Sequence, residues 1–193
     1  MPVEIPNVGR DDLAVLFCEL GFKVGAEVGV ERGVFSEMLC QRNPALHLYA
    51  IDAWTEYEDL PAGRWSQAKL DAYYAAARAR LAAYDCDLVR KFSREAARDF
   101  EPESLDFVYI DANHEFRYVA DDLCVWAKIV RPGGIVSGHD YMRRRSVTNG
   151  NCHVPYVVQA YAAAYSIWPW FVLGTNDIGL KRDHFRSFMW VKA

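Results

Sequence analysis

The stretch "AEVGVERGVFSEML", residues 26–39, decides how the chain is read. An apolar run ends at Val28, a turn holds Gly29 and Gly33, and Ser36, Met38 and Leu39 belong to a helix that follows. Strand, glycine turn and helix in that order resemble a nucleotide-binding unit of an open α/β sheet. The spacing, however, is G-x-x-x-G. A dinucleotide loop, G-x-G-x-x-G, uses a further glycine to bring its pyrophosphate close to the helix N-terminus. Here Val30, Glu31 and Arg32 fill the turn, and Glu27 precedes it. An acid facing a pyrophosphate repels it, so a cationic ligand without phosphate suits the loop better. A plainer alternative is that the two glycines serve only a tight turn and a helix contact.

Working outward, Leu13, Leu16, Phe17 and Leu20 recur at helical spacing and predict a helix before the first strand, "KVGAEVGV". "LHLYAIDAW" (46–54) predicts a second strand ending at Asp52, and the polar stretch 55–65 a loop that could act as a lid, with Trp54 and Trp65 at its ends. An alanine- and arginine-rich helix over 66–84 is followed by a short strand, "CDLVRKF", and a further helix with Ser93 at its N-cap. "LDFVYID" (105–111) is a buried-strand pattern. Val119, Leu123, Trp126 and Val130 mark a helix face that Pro132, Gly133 and Gly134 break. "GIVSGHDY" is the next strand and its exit. Residues 154–176 carry no charge, but Pro155, Gln159, Ser166, Pro169 and Gly174 interrupt them, which favours a helix and a buried strand over a membrane span. Alternating strands and helices, with strands at the end, predict one α/β domain, a doubly wound and mostly parallel sheet with helices on both faces.

Composition excludes several classes of function. A 193-residue chain that is 52% hydrophobic can fill the core of one domain, so disorder is excluded for most of it. A net charge of -4 argues against a general binder of nucleic acid or anionic membrane. Cys18, Cys40, Cys86, Cys124 and Cys152 are odd in number with no C-x-x-C, which favours free thiols in a reducing compartment. No apolar leader opens the sequence, and a cytoplasmic location is expected.

Ligands of open α/β sheets bind beyond the carboxyl ends of the strands. The residues expected there are Gly29, Glu31 and Gly33; Asp52; Ser93; Asp111, Asn113 and His114; and His139, Asp140 and Tyr141. Asp52 is placed to accept hydrogen bonds from a ribose diol, with a helix cap as its alternative. Asp111 ends a hydrophobic strand, where a carboxylate needs a partner, a ligand or a cap. His114 and His139 stand near aspartates at neighbouring strand exits, so each is a candidate base or ligand as well as an ordinary packed histidine. A nucleoside with a sulfonium and an ammonium, S-adenosylmethionine, fits this combination.

The motifs "EVGVERG" (27–33), "AID" (50–52), "FSREA" (92–96), "VYIDANHEFRYVADDLCVW" (108–126) and "RPGGIVSGHDY" (131–141) together resemble a class I S-adenosylmethionine-dependent methyltransferase. More narrowly, the sequence is similar to a small bacterial group that includes macrocin O-methyltransferase-like and cephalosporin-hydroxylase-like proteins. The likeness covers about residues 22–141. Residues 1–21 would form an N-terminal helix, and residues 142–193 a substrate-side segment with closing strands, the last antiparallel. The resemblance implies that Glu27, Gly29, Glu31 and Gly33 line the methionine end of the cofactor. It implies that Asp52 binds the ribose, that Ser93 and Arg94 sit by the adenine, and that Asp111 lies near the sulfonium and the acceptor.

Some relatives hold a divalent metal at positions matching Asp111, His139 and Asp140. Histidine replaces the first acid of their final pair here, which makes a magnesium site less suitable. The expected reaction is in-line methyl transfer to a hydroxyl of a small molecule or glycan. His139 or His114 would serve as base, or a metal would assist, with Asp111 at the reacting centre. Arg143, Arg144 and Arg145 are a candidate clamp on an anionic acceptor, or else a solvated loop; Tyr141, Tyr156 and the aromatic stretch from Trp168 to Phe171 are candidate walls of the acceptor pocket, with core packing the plainer reading of that stretch. Neither nucleic acid nor membrane is an expected partner, and self-association stays open. The rival readings are a nicotinamide-dependent oxidoreductase, a non-catalytic module that binds the cofactor, and a hydroxylase-like activity.

Overall fold

The computed structural model describes residues 1–58, 65–142, 145–146, 150–174 and 185–193. The elements run β1 (Val3–Ile5), α1 (Arg10–Glu19), β2 (Val24–Val28), α2 (Val34–Arg42), β3 (His47–Asp52) and α3 (Gln67–Leu81). They continue as β4 (Cys86–Arg90), α4 (Ser93–Ala96) with a short 3₁₀ turn over Ala97–Asp99, β5 (Leu105–Ile110), α5 (Phe116–Ile129) and β6 (Val130–Gly138). The chain closes with β7 (Arg145–Ser146), β8 (Gly150–Asn151), α6 (Val154–Ala164), β9 (Trp170–Leu173) and β10 (Ser187–Val191). Among the described residues, eight strands form one sheet in the order β1-β9-β10-β6-β5-β2-β3-β4, and β7 pairs with β8 outside it. Within the eight-stranded sheet β10 is antiparallel to both neighbours and the other pairings are parallel, and β7 and β8 are antiparallel to each other. The α/β architecture and the antiparallel last strand are as expected.

Strand alternation divides the core into two layers. Phe107, Tyr109 and Leu48 face one side, where Leu13, Phe17, Phe35 and Leu39 bring α1 and α2 down onto the sheet. Phe17 stacks on Phe107 with ring centroids 4.1 Å apart. Val28, Val108, Ile110 and Val136 face the other side and meet Leu123 and Trp126 of α5 and Val157 and Val158 of α6. α3 extends the first layer through Ala77 and Leu81 against Ala50 and Trp54. The uncharged stretch after Val154 is indeed a helix and then a buried strand, and no helix among the described residues is long and apolar enough to cross a membrane. All five cysteines are free.

Three expectations change. β1 was not foreseen: it pairs with β9 through only three residues between two prolines, too short for any periodicity to register. Ser93 is the first residue of α4, and Phe92 is its N-cap, because the amides of Glu95 and Ala96 both donate to the Phe92 carbonyl. Val130 begins β6 and does not extend α5, which ends at Ile129.

At the amino ends of the strands Asp106 ties three of them together. Its carboxylate accepts from the amides of Lys23 (2.6 Å) and Val24 (2.9 Å) and from Nε of Arg131 (2.7 Å). Burial favours its neutral form, but the two amides and Arg131 outweigh burial and hold the carboxyl below its ordinary range. Asp106→Asn should therefore cost about 1–3 kcal/mol at neutral pH. A depressed folded-state pKa means that this contribution is present above the unfolded value, roughly pH 4, and fades as pH falls through the folded one. Denaturant titrations of wild type and variant should converge below that pH. A gap that stays constant down to pH 2 would contradict this role for Asp106.

Candidate functional site

The strand order reverses between β2 and β5, so their carboxyl ends open the crevice where open α/β sheets bind ligands. The glycine turn of residues 29–33 leaves β2 there and leads into α2. Gly29 has φ +97°, and a Cβ on it would lie 2.2 Å from the Asp111 carbonyl oxygen. Gly33, at φ +74°, is the N-cap of α2.

Asp52 at the end of β3 braces this turn. One carboxylate oxygen accepts from the amides of Val30 and Glu31, each at 3.0 Å, and the other from the amide of Trp54 at 3.0 Å. A carboxylate has about four acceptor sites, so most of its capacity is spent on the loop. Trp54 completes the brace through Nε1, which donates to the Glu31 carbonyl at 2.8 Å.

Glu27 is buried on β2 and accepts from the Ser36 hydroxyl. Burial pushes its pKa up to about 8, Ser36 opposes this and Asp111 adds to it, so the carboxyl carries its proton at neutral pH. Glu31, expected to line the methionine end of the cofactor, stands in the turn itself. Its side chain is half exposed with Oε1 3.8 Å from Nε of Arg32, and its backbone, at φ +51°, is the part the loop uses. Of the two glutamates of this stretch, Glu27 is thus the enclosed one.

Asp111, His114, His139 and Asp140 come together at the ends of β5 and β6. His114 Nε2 lies 2.8 Å from Asp140 Oδ2 and 3.8 Å from Asp111 Oδ1, and His139 Nδ1 lies 3.5 Å from Asp111 Oδ2 and 3.7 Å from Asp140 Oδ2. Burial lowers the pKa of both imidazoles, but the acids outweigh it. His114 is raised to about 10 by Asp111 and Asp140; His139 is raised by the Tyr109 oxygen and the same two acids. Burial pushes Asp140 up, and the two histidines more than reverse this. Both imidazoles therefore hold protons at neutral pH, and neither is a free base before a ligand enters. One ligand atom from each of Asp111, His139 and Asp140 lies within 4.8 Å of the others. One imidazole and two carboxylates fit a divalent transition-metal ion better than magnesium.

The structure separates the remaining expected residues from this cluster. Ser93 donates its hydroxyl to Asp122 and accepts from Nε1 of Trp126 at 2.8 Å, so its side chain is turned into α5. Arg94 is exposed and pairs with Asp121 at 3.5 Å. Tyr141 is buried: its hydroxyl accepts from Gln159 at 2.7 Å and its ring packs edge-on to Trp170. Trp170 is also buried, whereas Trp168 is exposed. Arg143, Arg144 and residues 59–64 of the proposed lid lie outside the described residues.

Sequence reasoning missed several neighbours of the crevice. Tyr57 receives a hydrogen bond from Asn113 at 2.9 Å and packs against Phe92 and Tyr118, which joins the loop after β3 to the loop after β5. Nδ1 of His153 accepts from the Phe116 amide at 3.0 Å, at the start of α5. Arg10, first in α1, has its Nη1 3.9 Å from Oδ2 of Asp111. A helix just before β2 must run back along the sheet, which places its first residue at the strands' carboxyl ends; that signal was available for Arg10.

Residues 26–141 match a family model described as a methyltransferase domain. No curated protein sequence matches the chain. Solved structures of similar fold include a protein described as an O-methyltransferase from Klebsiella pneumoniae, with 19% identity, 95% of this chain and 80% of that one covered, and a TM-score of 0.66. An O-methyltransferase from Bacillus cereus, described in complex with SAH, has 16% identity, coverage of 95% and 80%, and a TM-score of 0.64. An rRNA methylase from Streptococcus thermophilus has 9% identity, coverage of 94% and 93%, and a TM-score of 0.63.

The Asp52 brace can be tested without any ligand. Asp52→Ala leaves three amides without their acceptor, which should cost about 1–3 kcal/mol of stability. Amide hydrogen exchange at Val30 and Glu31 should accelerate by at least tenfold over wild type, while β5 is unaffected. Unchanged protection at both amides would show that the loop does not depend on Asp52.

Proposed function

The chain belongs to the methyltransferase-domain family, as a class I S-adenosylmethionine-dependent methyltransferase, and on that premise we propose that it methylates a hydroxyl group of a small molecule or a sugar. The observation that carries this reading is the convergence of Asp111, His114, His139 and Asp140 beside the glycine turn. A sulfonium is already a good leaving group. The protein's task is to hold the acceptor oxygen in line behind the methyl group, exclude water and take up a proton. Asp111 supplies negative charge that a sulfonium and an ammonium favour, and Glu27, which otherwise carries its proton, becomes a second carboxylate where a cation displaces that proton. The turn held by Asp52 shapes the cofactor's place, and ribose recognition falls to the acceptor capacity that Asp52 keeps.

A divalent cation held by Asp111, His139 and Asp140 would lower the pKa of the acceptor hydroxyl. His114, on the outer side of Asp140, orients that carboxylate through the 2.8 Å contact. Asp111 has the most open side chain of the three, 20% exposed against 8% for His139 and 11% for Asp140, and is placed to meet the acceptor first. Two of the similar structures are described as O-methyltransferases, which supports a hydroxyl acceptor, and the rRNA methylase makes RNA the acceptor to test against it.

Transfer of a radiolabelled methyl group should be measured on phenols, glycosides and a ribosomal RNA fragment, with and without a chelator. Expected are turnover on a hydroxyl acceptor, loss of that turnover on chelation, and its recovery with manganese or another transition-metal ion. Asp111→Asn should lower kcat at least a hundredfold while the protein still binds S-adenosylhomocysteine. Methylation of RNA alone would sink the acceptor assignment. Full activity in chelator would remove the metal and leave the four-residue cluster to manage the proton by itself.

A further inference from the structure

S-Adenosylmethionine ends in an amino acid, with one ammonium and one carboxylate. The charged acids of the crevice, Asp111 and Asp140, suit the ammonium and the sulfonium, and they repel the carboxylate. A cation has to meet that carboxylate if the cofactor is to bind in one orientation. We infer that Arg10 binds the carboxylate of the cofactor's methionine end and makes the protein select ligands that carry it. The inference rests on the cofactor reading above and adds a residue to which no role has been attached.

Three features place Arg10 for this. It opens α1, whose N-terminus lies at the carboxyl ends of the strands. Its guanidinium carbon stands 5.3 Å over the ring of Phe35, the second residue of α2, so it sits beside the helix turn that follows Gly33. The positive end of the α2 dipole points to the same place. Its Nη1 is 3.9 Å from Asp111 Oδ2, an ion pair longer than a direct hydrogen bond, and its side chain is 31% exposed. A guanidinium carries five donors in a planar fork that matches a carboxylate. It can hold a ligand carboxylate while its charge still balances Asp111. Phe35 contributes no polar atom there, so its ring acts as a platform for the cation.

A purely structural Arg10, serving only to neutralise Asp111, would influence all cofactor analogues alike. The two roles separate by calorimetry with S-adenosylhomocysteine and its decarboxylated counterpart, which lacks only the carboxylate. Wild type should bind the decarboxylated ligand roughly ten- to a hundredfold more weakly, the range for a charge-assisted pair. In Arg10→Gln, S-adenosylhomocysteine should weaken by a similar factor while the decarboxylated ligand changes less than about threefold, so the ratio approaches one. Arg10→Lys should keep part of the ratio, since it retains the charge and loses the fork. Thermal melting of each variant checks that it is folded.

Equal binding of the two ligands by wild type overturns the inference whether or not the variants fold. An unchanged ratio in Arg10→Gln overturns it as well. If neither ligand binds wild type, the cofactor reading itself falls, and that outcome is distinct from loss of discrimination alone.

Discussion

The site depends on how closely the turn after β2 passes the end of β5. A Cβ on Gly29 would lie 2.2 Å from the Asp111 carbonyl oxygen, and the φ of +97° is one that side chains other than glycine's disfavour. The amide of Asp111 donates to the Val28 carbonyl at 2.7 Å, which holds the two exits in this contact. Gly138 does the same one strand further on. Its Cβ would meet the Ile110 carbonyl at 2.5 Å, and the amide of His139 donates to that carbonyl at 3.0 Å. Three neighbouring strands thus end at nearly one level, and Glu27, Asp111, His139 and Asp140 meet because the backbones beneath them cannot separate.

That closeness creates an electrostatic problem that each group resolves differently. Glu27 is fully enclosed and keeps its proton. Asp111 and Asp140 stay beside two imidazoles, which remain protonated in consequence, and Arg10 approaches the same Asp111 oxygen as His139. Among the described residues, protons and the Arg10 guanidinium balance the crevice. A cationic ligand or a metal ion replaces those protons and meets carboxylates already in place, so little reorganisation is needed on binding.

Strand exits could be read from the sequence because hydrophobic runs such as 46–52 and 105–110 stop abruptly at polar residues. The same pattern gave the doubly wound sheet and the cluster at residues 111, 114, 139 and 140. What it did not give is side-chain direction. Glu31, Ser93 and Tyr141 all stand at exits, yet Glu31 turns to Arg32, Ser93 into α5 and Tyr141 into the core against Gln159 and Trp170. Positive φ at Glu31 and the direct entry into α4 at Ser93 rotate these side chains away, and one-dimensional periodicity holds no trace of either. Arg10 and Tyr57 were missed for the complementary reason: they reach the crevice from elements that are not strand exits.

The contrast between Asp106 and Asp111 shows why chemistry collects at one end of this sheet. Both stand on the same strand or just past it, and they differ in the groups that their end of the sheet offers. At the amino end, the amides of Lys23 and Val24 are free of the β-ladder and donate to Asp106, and with Arg131 they satisfy it completely enough to hold its pKa down. At the carboxyl end the strands present carbonyls, which give a carboxylate nothing to accept. Asp52 escapes this because the glycine turn doubles back and offers two amides, with a third from Trp54. Among the described residues no backbone amide donates to the Asp111 or Asp140 carboxylate, so their partners there are side chains that can be exchanged: imidazolium, guanidinium, or a cation brought by a ligand. A carboxylate satisfied by backbone is fixed, whereas one satisfied by side-chain cations can pass to a new partner. The carboxyl end of this sheet is therefore the end able to bind.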